Sequence, residues 1–138
     1  MTICLLRLSV DFGLLVLIWI VQLIIYPSFS FFSKENLIEW HKKYTRAMGY
    51  IVAPLMLSQL GIYLKIVYDE PSMSTVLPLV LVLGTWLITF FQFVPRHQAI
   101  SEGQVSDTLL KELVTKNWIR TTLWSLLFVV SCIYCLRV

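Results

Sequence analysis

The chain has 138 residues, 58% of them hydrophobic and 14% charged, with a formal net charge of +3 at pH 7 and a mean hydropathy of +0.79. Soluble domains carry about a quarter charged residues, and a domain this small has too much surface for its volume to hide so apolar a chain from water. The composition excludes an ordinary soluble domain and points to an integral membrane protein in one domain, 1–138; the scattered basic residues form no stripe for nucleic acid.

The first apolar segment runs from about residue 8 to 26, with a core from Phe12 to Ile25 interrupted only by Gln22. A secretory signal is the alternative reading, but Tyr26-Pro27-Ser28-Phe29 is no small-residue cleavage site. A retained helix that stops at Pro27 is expected. Residues 28–45 are polar with aromatic anchors, and Ser33-Lys34-Glu35-Asn36 reads as a capped helix start. Leu37, Ile38, Trp40, His41 and Tyr44 then fit an amphipathic helix at the membrane interface, either separate or running directly into the second span. The second span covers about 47–68, with Pro54 expected to kink it. A turn at 69–72 leads to the third span, about 74–95, which is expected to close at Pro95-Arg96-His97. Ser106-Asp107 resembles a cap, residues 109–116 form the first turns of a long fourth helix, and its spanning part covers about 116–136.

The expected fold is an all-α, up-down four-helix bundle in the membrane, with an interfacial helix between the first and second spans. Lys34, Lys42, Lys43, Arg46, Arg96, Lys111, Lys116 and Arg120 lie on or near the face that holds the 27–45 and 95–116 connections; Arg7, Lys65 and Arg137 lie toward the other. The positive-inside rule then puts the first face in the cytoplasm and both termini outside, as for a bacterial inner-membrane protein.

Each span carries a sparse polar stripe. Asp11 and Gln22 share a face of the first; His41, Thr45, Ser58 and Gln59 follow the second. Thr85, Thr89, Gln92 and Arg96 mark the third, and Asn117, Arg120, Thr121 and Trp124 the fourth, at helical spacing. Polar stripes facing lipid would leave their groups unpaired, so they are expected to face one another. An arginine at membrane depth costs at least a few kcal/mol unless paired or hydrated, and no carboxylate is obviously placed to pair Arg120. The expectation is a pocket near the cytoplasmic face for a small amphipathic or anionic ligand. Arg120 would clamp its oxygen, Asn117 would donate a hydrogen bond, and His97 would act as acid or base. Arg96, Gln92, Trp86, Trp124, Trp118 and Tyr26 are the further candidate ligand-binding residues. The bland alternative is that such residues merely stitch helices together.

His41 and His97 are the two histidines, and with Tyr26 they are candidates for ligating a metal or a haem. The spacing is not a metal-site pattern. Cys132-Ile133-Tyr134-Cys135 is a Cys-x-x-Cys near the outer end, the arrangement of a thiol oxidoreductase, with only Cys4 as a further partner. Asp11 is expected in the outer interface. No phosphate loop or hydrolase constellation is present.

Leu113-Val114-Thr115-Lys116-Asn117-Trp118-Ile119-Arg120-Thr121, Pro27 after the first helix and Pro95 with His97 after the third carry a family likeness. These features resemble the small four-helix membrane proteins grouped with the anthrone oxygenases. The resemblance implies a membrane-embedded, oxygenase-like or small-molecule-binding role for Asn117, Trp118, Arg120 and His97. The sequence leaves open whether the protein is a membrane oxidoreductase with haem or another redox cofactor, a binding protein, or a non-enzymatic subunit packing against a partner or a second copy.

Overall fold

The computed structural model describes residues 2–137; the side chain of Arg137, counted above among the outer basic residues, lies outside that description. The described residues are almost all helical and contain no strand. Four long helices are apolar enough to cross a membrane: Thr2–Phe31, Lys34–Asp69, Met73–Ser101 and Asp107–Leu136. They pack as a bundle in which the first touches the second and fourth, and the third touches the second and fourth.

The burial pattern is inverted relative to a water-soluble protein. Ile24, Leu77, Leu87 and Phe91 stand exposed, whereas Arg7, Asp11, Gln22, His41, Gln59, Asn117, Arg120, Thr121 and Ser131 are buried. Exposed apolar side chains suit a hydrocarbon solvent, and inward polar groups find partners that lipid cannot supply. Of the polar stripes, only Ser58 faces wholly outward among the groups named for the second helix.

The first three helices overrun their expected spans, and the overruns have physical causes. The interfacial helix expected before the second span does not exist as a separate element: Lys34–Asp69 is one rod. Nothing between Lys34 and Met48 is a glycine or proline, so no residue ends the helix there. At 1.5 Å per residue a 36-residue helix is about 54 Å long, well beyond the roughly 30 Å of a bilayer core. Ser33 caps it as expected, accepting from the Asn36 amide, and the Ser106 hydroxyl accepts from the Leu109 amide at the start of the fourth.

Pro27 and Pro95 do not stop their helices. Each is preceded by a π-helical turn, Val21–Ile25 and Thr89–Phe93. There the amides of Tyr26 and Val94, just before each proline, donate to carbonyls five residues back, Val21 and Thr89. The extra residue absorbs the ring that would break an ordinary α-helix, and the rod continues. The third helix ends instead at Gly103, whose φ of 88° is open only to glycine at low cost. The Gly103 amide bonds Ile100 O and the Gln104 amide bonds Ala99 O, which closes a Schellman cap.

Candidate functional site

The π turn in the third helix decides which of its residues face the interior. Thr85 and Thr89 were expected to share a face with Gln92 and Arg96. One inserted residue turns everything downstream by about 100°, so the inward series becomes Thr85, Thr89, Phe93, His97. Phe93 is 1% exposed. Arg96 points away from this face, bonding Glu112 through Nε (3.2 Å) and Nη2 (3.0 Å) and Gln92 O through Nη1 (2.6 Å).

A cavity of about 480 Å³ opens beside that series. Its inner wall is Leu17, Val21 and Tyr26 of the first helix and Arg120 of the fourth; its sides are Thr45, Met48, Gly49 and Val52 of the second and Thr89, Phe93, Val94, His97 and Ser101 of the third. The second helix packs against Met73–Ile88 and Val94–Ser101, and the exposed residues of the cavity lining, Gly49, Val94 and Gln98, lie on the second and third helices. The mouth is therefore a lateral window between two helices, and exposed Tyr50, Phe90 and Phe91 flank it.

Arg120 lies at the inner end, 6% exposed. Its guanidinium carbon sits 4.3 Å from the Phe93 ring centroid and 5.2 Å from that of Trp124. Cation–π contact of this kind returns part of the desolvation cost, about 2 kcal/mol where water is excluded. Among the described residues no carboxylate lies within 4.0 Å of it, and its Nε has no hydrogen-bond partner. Of the loop carboxylates that the chain offers, Glu39 is bonded by Lys43 and Glu102 by Gln98, and Asp107 is exposed at the start of the fourth helix; Glu112 is held by Arg96.

Beside Arg120 runs a chain of four side chains. The Tyr26 hydroxyl is 2.9 Å from His97 Nε2, His97 Nδ1 is 2.7 Å from His41 Nε2, and His41 Nδ1 is 3.0 Å from Ser101 Oγ. Tyr26, His97 and Ser101 line the cavity, and His41 is fully buried behind them. All four ring nitrogens are thus occupied by protein partners. A metal or haem iron at either histidine would have to displace one of these bonds, and no cluster of three or more ligating side chains occurs among the described residues. The arrangement does not fit His41 and His97 as a ligand pair on one iron.

The remaining expected site residues lie outside the cavity. Asn117 Nδ2 donates to Gln22 Oε1 (2.9 Å), Thr121 donates to the same oxygen (3.2 Å), and Gln22 Nε2 donates to Val114 O (3.1 Å), so this group ties the first helix to the fourth. Trp118 turns outward and meets Trp19 edge-on at 5.7 Å. Trp86 stacks on Phe90. Trp124 lies beyond Arg120, with its indole N–H donating to Gln59 Oε1 (3.3 Å). Sequence reasoning missed Tyr44, Thr89, Phe93 and Ser101 as cavity residues. Thr89 was already on the inward stripe, though not named for the cavity; Tyr44 and Ser101 follow His41 and His97 by three and four residues, and Phe93 alone is brought inward by the π insertion.

At the opposite end, Asp11 is buried between helices. It accepts from Gln59 Nε2 (2.6 Å), the Tyr63 hydroxyl (2.7 Å) and the Ser131 hydroxyl. Arg7 Nε donates to Ser131 Oγ (2.8 Å) and lies 3.9 Å from the Asp11 carboxylate, with its guanidinium over the Tyr63 and Tyr134 rings. The i, i+4 spacing of Arg7 and Asp11 was the available signal. Nearby, Cys135 is disulfide-bonded to Cys4, with Cα atoms 5.4 Å apart, and Cys132 is free. The Cys-x-x-Cys is therefore no redox pair here. A continuous helix holds residues i and i+3 with Cβ atoms about 5–6 Å apart, beyond the roughly 4 Å a disulfide takes.

A scan against protein-family models, a search of curated proteins and a search of solved structures each return no match for this chain.

Proposed function

We propose that this is an up-down four-span membrane protein that holds a small amphipathic molecule in the lateral cavity, with the ligand's anionic or carbonyl head on Arg120. The carrying observation is the Arg120 guanidinium itself, buried, without a carboxylate partner, and lining a cavity whose other walls are mostly apolar. A guanidinium buried only to join helices would be expected to meet a carboxylate, as Arg7 meets Asp11 at the other end. The window between exposed apolar residues supports access from the bilayer rather than from water.

Orientation has two independent supports. Lys42, Lys43 and Arg46 are exposed at the His41 end, which favours that end in the cytoplasm of a bacterial inner membrane. The Cys4–Cys135 disulfide lies at the other end, and disulfides persist in oxidising compartments outside the cytoplasm. Both termini are then outside.

The reading is tested by purifying the wild-type protein and Arg120→Gln in mild detergent, extracting each with organic solvent, and comparing the extracts by mass spectrometry. A small amphipathic species recovered near one per chain from the wild type and reduced at least tenfold in the variant is expected. Equal recovery from both proteins rejects Arg120 as the head-group clamp.

A further inference from the structure

The hydrogen-bond chain Tyr26–His97–His41–Ser101 has a property that separates it from ordinary interhelical bonding. Between two neutral imidazoles, one proton serves each nitrogen-to-nitrogen bond. If His97 Nδ1–H donates to His41 Nε2, then His97 Nε2 accepts from Tyr26 and His41 Nδ1–H donates to Ser101. If His41 Nε2–H donates to His97 Nδ1, every bond reverses, and Ser101 donates at one end while Tyr26 accepts at the other. Both directions satisfy all four groups at the observed separations of 2.9, 2.7 and 3.0 Å. A chain with two complete directions passes one proton from end to end by shifting each proton by a single bond.

What the cavity presents at the two ends of this chain differs. Tyr26 lies with Arg120 on the inner wall, and Ser101, partly exposed, lies on the side formed by the third helix. In the free protein, the guanidinium's field favours the Tyr26 oxygen facing it and the Tyr26 proton facing His97. A bound anion reverses that preference, since Tyr26 then donates to the anion and accepts from His97.

We infer that the Arg120 cavity takes a single-chain lipophilic carboxylic acid, which arrives protonated and binds ionised, and that the Tyr26–His97–His41–Ser101 chain carries away its proton. This rests on the ligand reading above and names the ligand's class. Among the described residues Arg120 is the one cationic side chain lining the cavity, which matches a monoanion and would leave a phosphate dianion half neutralised. The planar guanidinium fork suits a carboxylate. A charged head does not cross apolar walls, so the acid passes the window neutral and ionises only at Arg120.

The proton balance is complete. The carboxylic acid gives its proton to the Tyr26 oxygen as Tyr26 gives its own to His97 Nε2. His97 Nδ1–H passes to His41 Nε2, His41 Nδ1–H passes to Ser101 Oγ, and the Ser101 hydroxyl proton leaves to solvent. The chain is left in its reverse direction, with Tyr26 donating to the carboxylate on Arg120. Departure of the ligand as the neutral acid runs the same steps backward and restores the start, so no ring has to flip.

The full-length protein, labelled with 15N at histidine and placed in lipid nanodiscs, is titrated with palmitate and with palmitamide, whose head cannot ionise. Binding is followed in parallel by quenching of tryptophan fluorescence with doxyl-labelled palmitate. Saturating palmitate is expected to convert both imidazoles from the Nδ1–H to the Nε2–H tautomer in the nitrogen spectrum, while palmitamide leaves them unchanged. In Tyr26→Phe the tautomer change should be lost, and in Arg120→Gln quenching should weaken at least tenfold. Saturable quenching with unchanged imidazoles overturns the relay and leaves the ligand reading standing. Absence of saturable quenching in the wild type overturns the carboxylic acid, and solvent extraction of the native ligand then decides the ligand reading separately.

Discussion

The Arg120 guanidinium carbon lies 4.3 Å from the centroid of the Phe93 ring, and this contact exists because of a single inserted residue in the third helix. In an uninterrupted helix Gln92 would share the inward face with Thr85 and Thr89. The π turn before Pro95 substitutes Phe93, and a ring face is a better floor than an amide for a cation with no carboxylate within 4.0 Å among the described residues. Phe93→Ala removes a large buried side chain and the cation–π contact together. A loss of about 3–5 kcal/mol is expected, read as a lowered unfolding midpoint in detergent. Phe93→Leu keeps apolar bulk without the ring and should lose distinctly less but still measurably; a Phe93→Leu protein as stable as wild type would argue that the ring face contributes nothing.

Gly49 sits at the edge of the window, and a Cβ built there meets nothing within 4 Å. A bulky side chain can therefore be placed in the opening without a clash. Gly49→Trp is expected to cut ligand recovery at least fivefold while the unfolding midpoint stays within about 0.5 kcal/mol of wild type, the usual range for a surface change. Undiminished recovery would mean that ligands reach the cavity by another route.

Asp11 accepts from groups on two other helices and faces Arg7. Removing one partner of a buried pair leaves an uncompensated charge, at a cost of about 3–5 kcal/mol. Asp11→Ala should therefore be strongly destabilising. Asp11→Ala combined with Arg7→Met should recover a good part of the loss, as measured by denaturation in mixed detergent. A double variant no more stable than the single would mean that Arg7 is not paired through Asp11.

Cys132 is the one free thiol among the described cysteines, since Cys4 and Cys135 are bonded. Denatured, unreduced protein should take one maleimide per chain, and reduced protein three. Cys132→Ser should abolish labelling before reduction. Retained labelling in that variant would place the disulfide elsewhere.

Much of this protein could be read directly from its residues. Four apolar runs set four helices, and the inward polar stripes followed from the impossibility of pairing them in lipid. The fourth helix has no proline or glycine inside it, so the inward order of Asn117, Arg120, Thr121, Trp124 and Ser131 came out as helical spacing says. Arg120 itself was legible for the same reason.

Where proline occurs, local rules lost their hold. Pro27 and Pro95 are helix terminators by sequence, because a missing N–H and a ring clash stop an isolated helix. Packing against the rest of the bundle makes continuing the rod worth a π turn at each site, and that turn rotates the downstream face. Gln92 and Arg96 consequently lost their places to Phe93 and His97, and Tyr26 came within 2.9 Å of His97. The pairing of Cys4 with Cys135 and of Arg7 with Ser131 joins chain ends 131 and 124 residues apart. Hydropathy and helical period are local quantities, and they were enough for a helical protein with apolar residues outward and Arg120 inward. Only the tertiary structure decided what surrounds that arginine, because the rotation at each π turn and the meeting of distant helices depend on contacts that no stretch of chain contains.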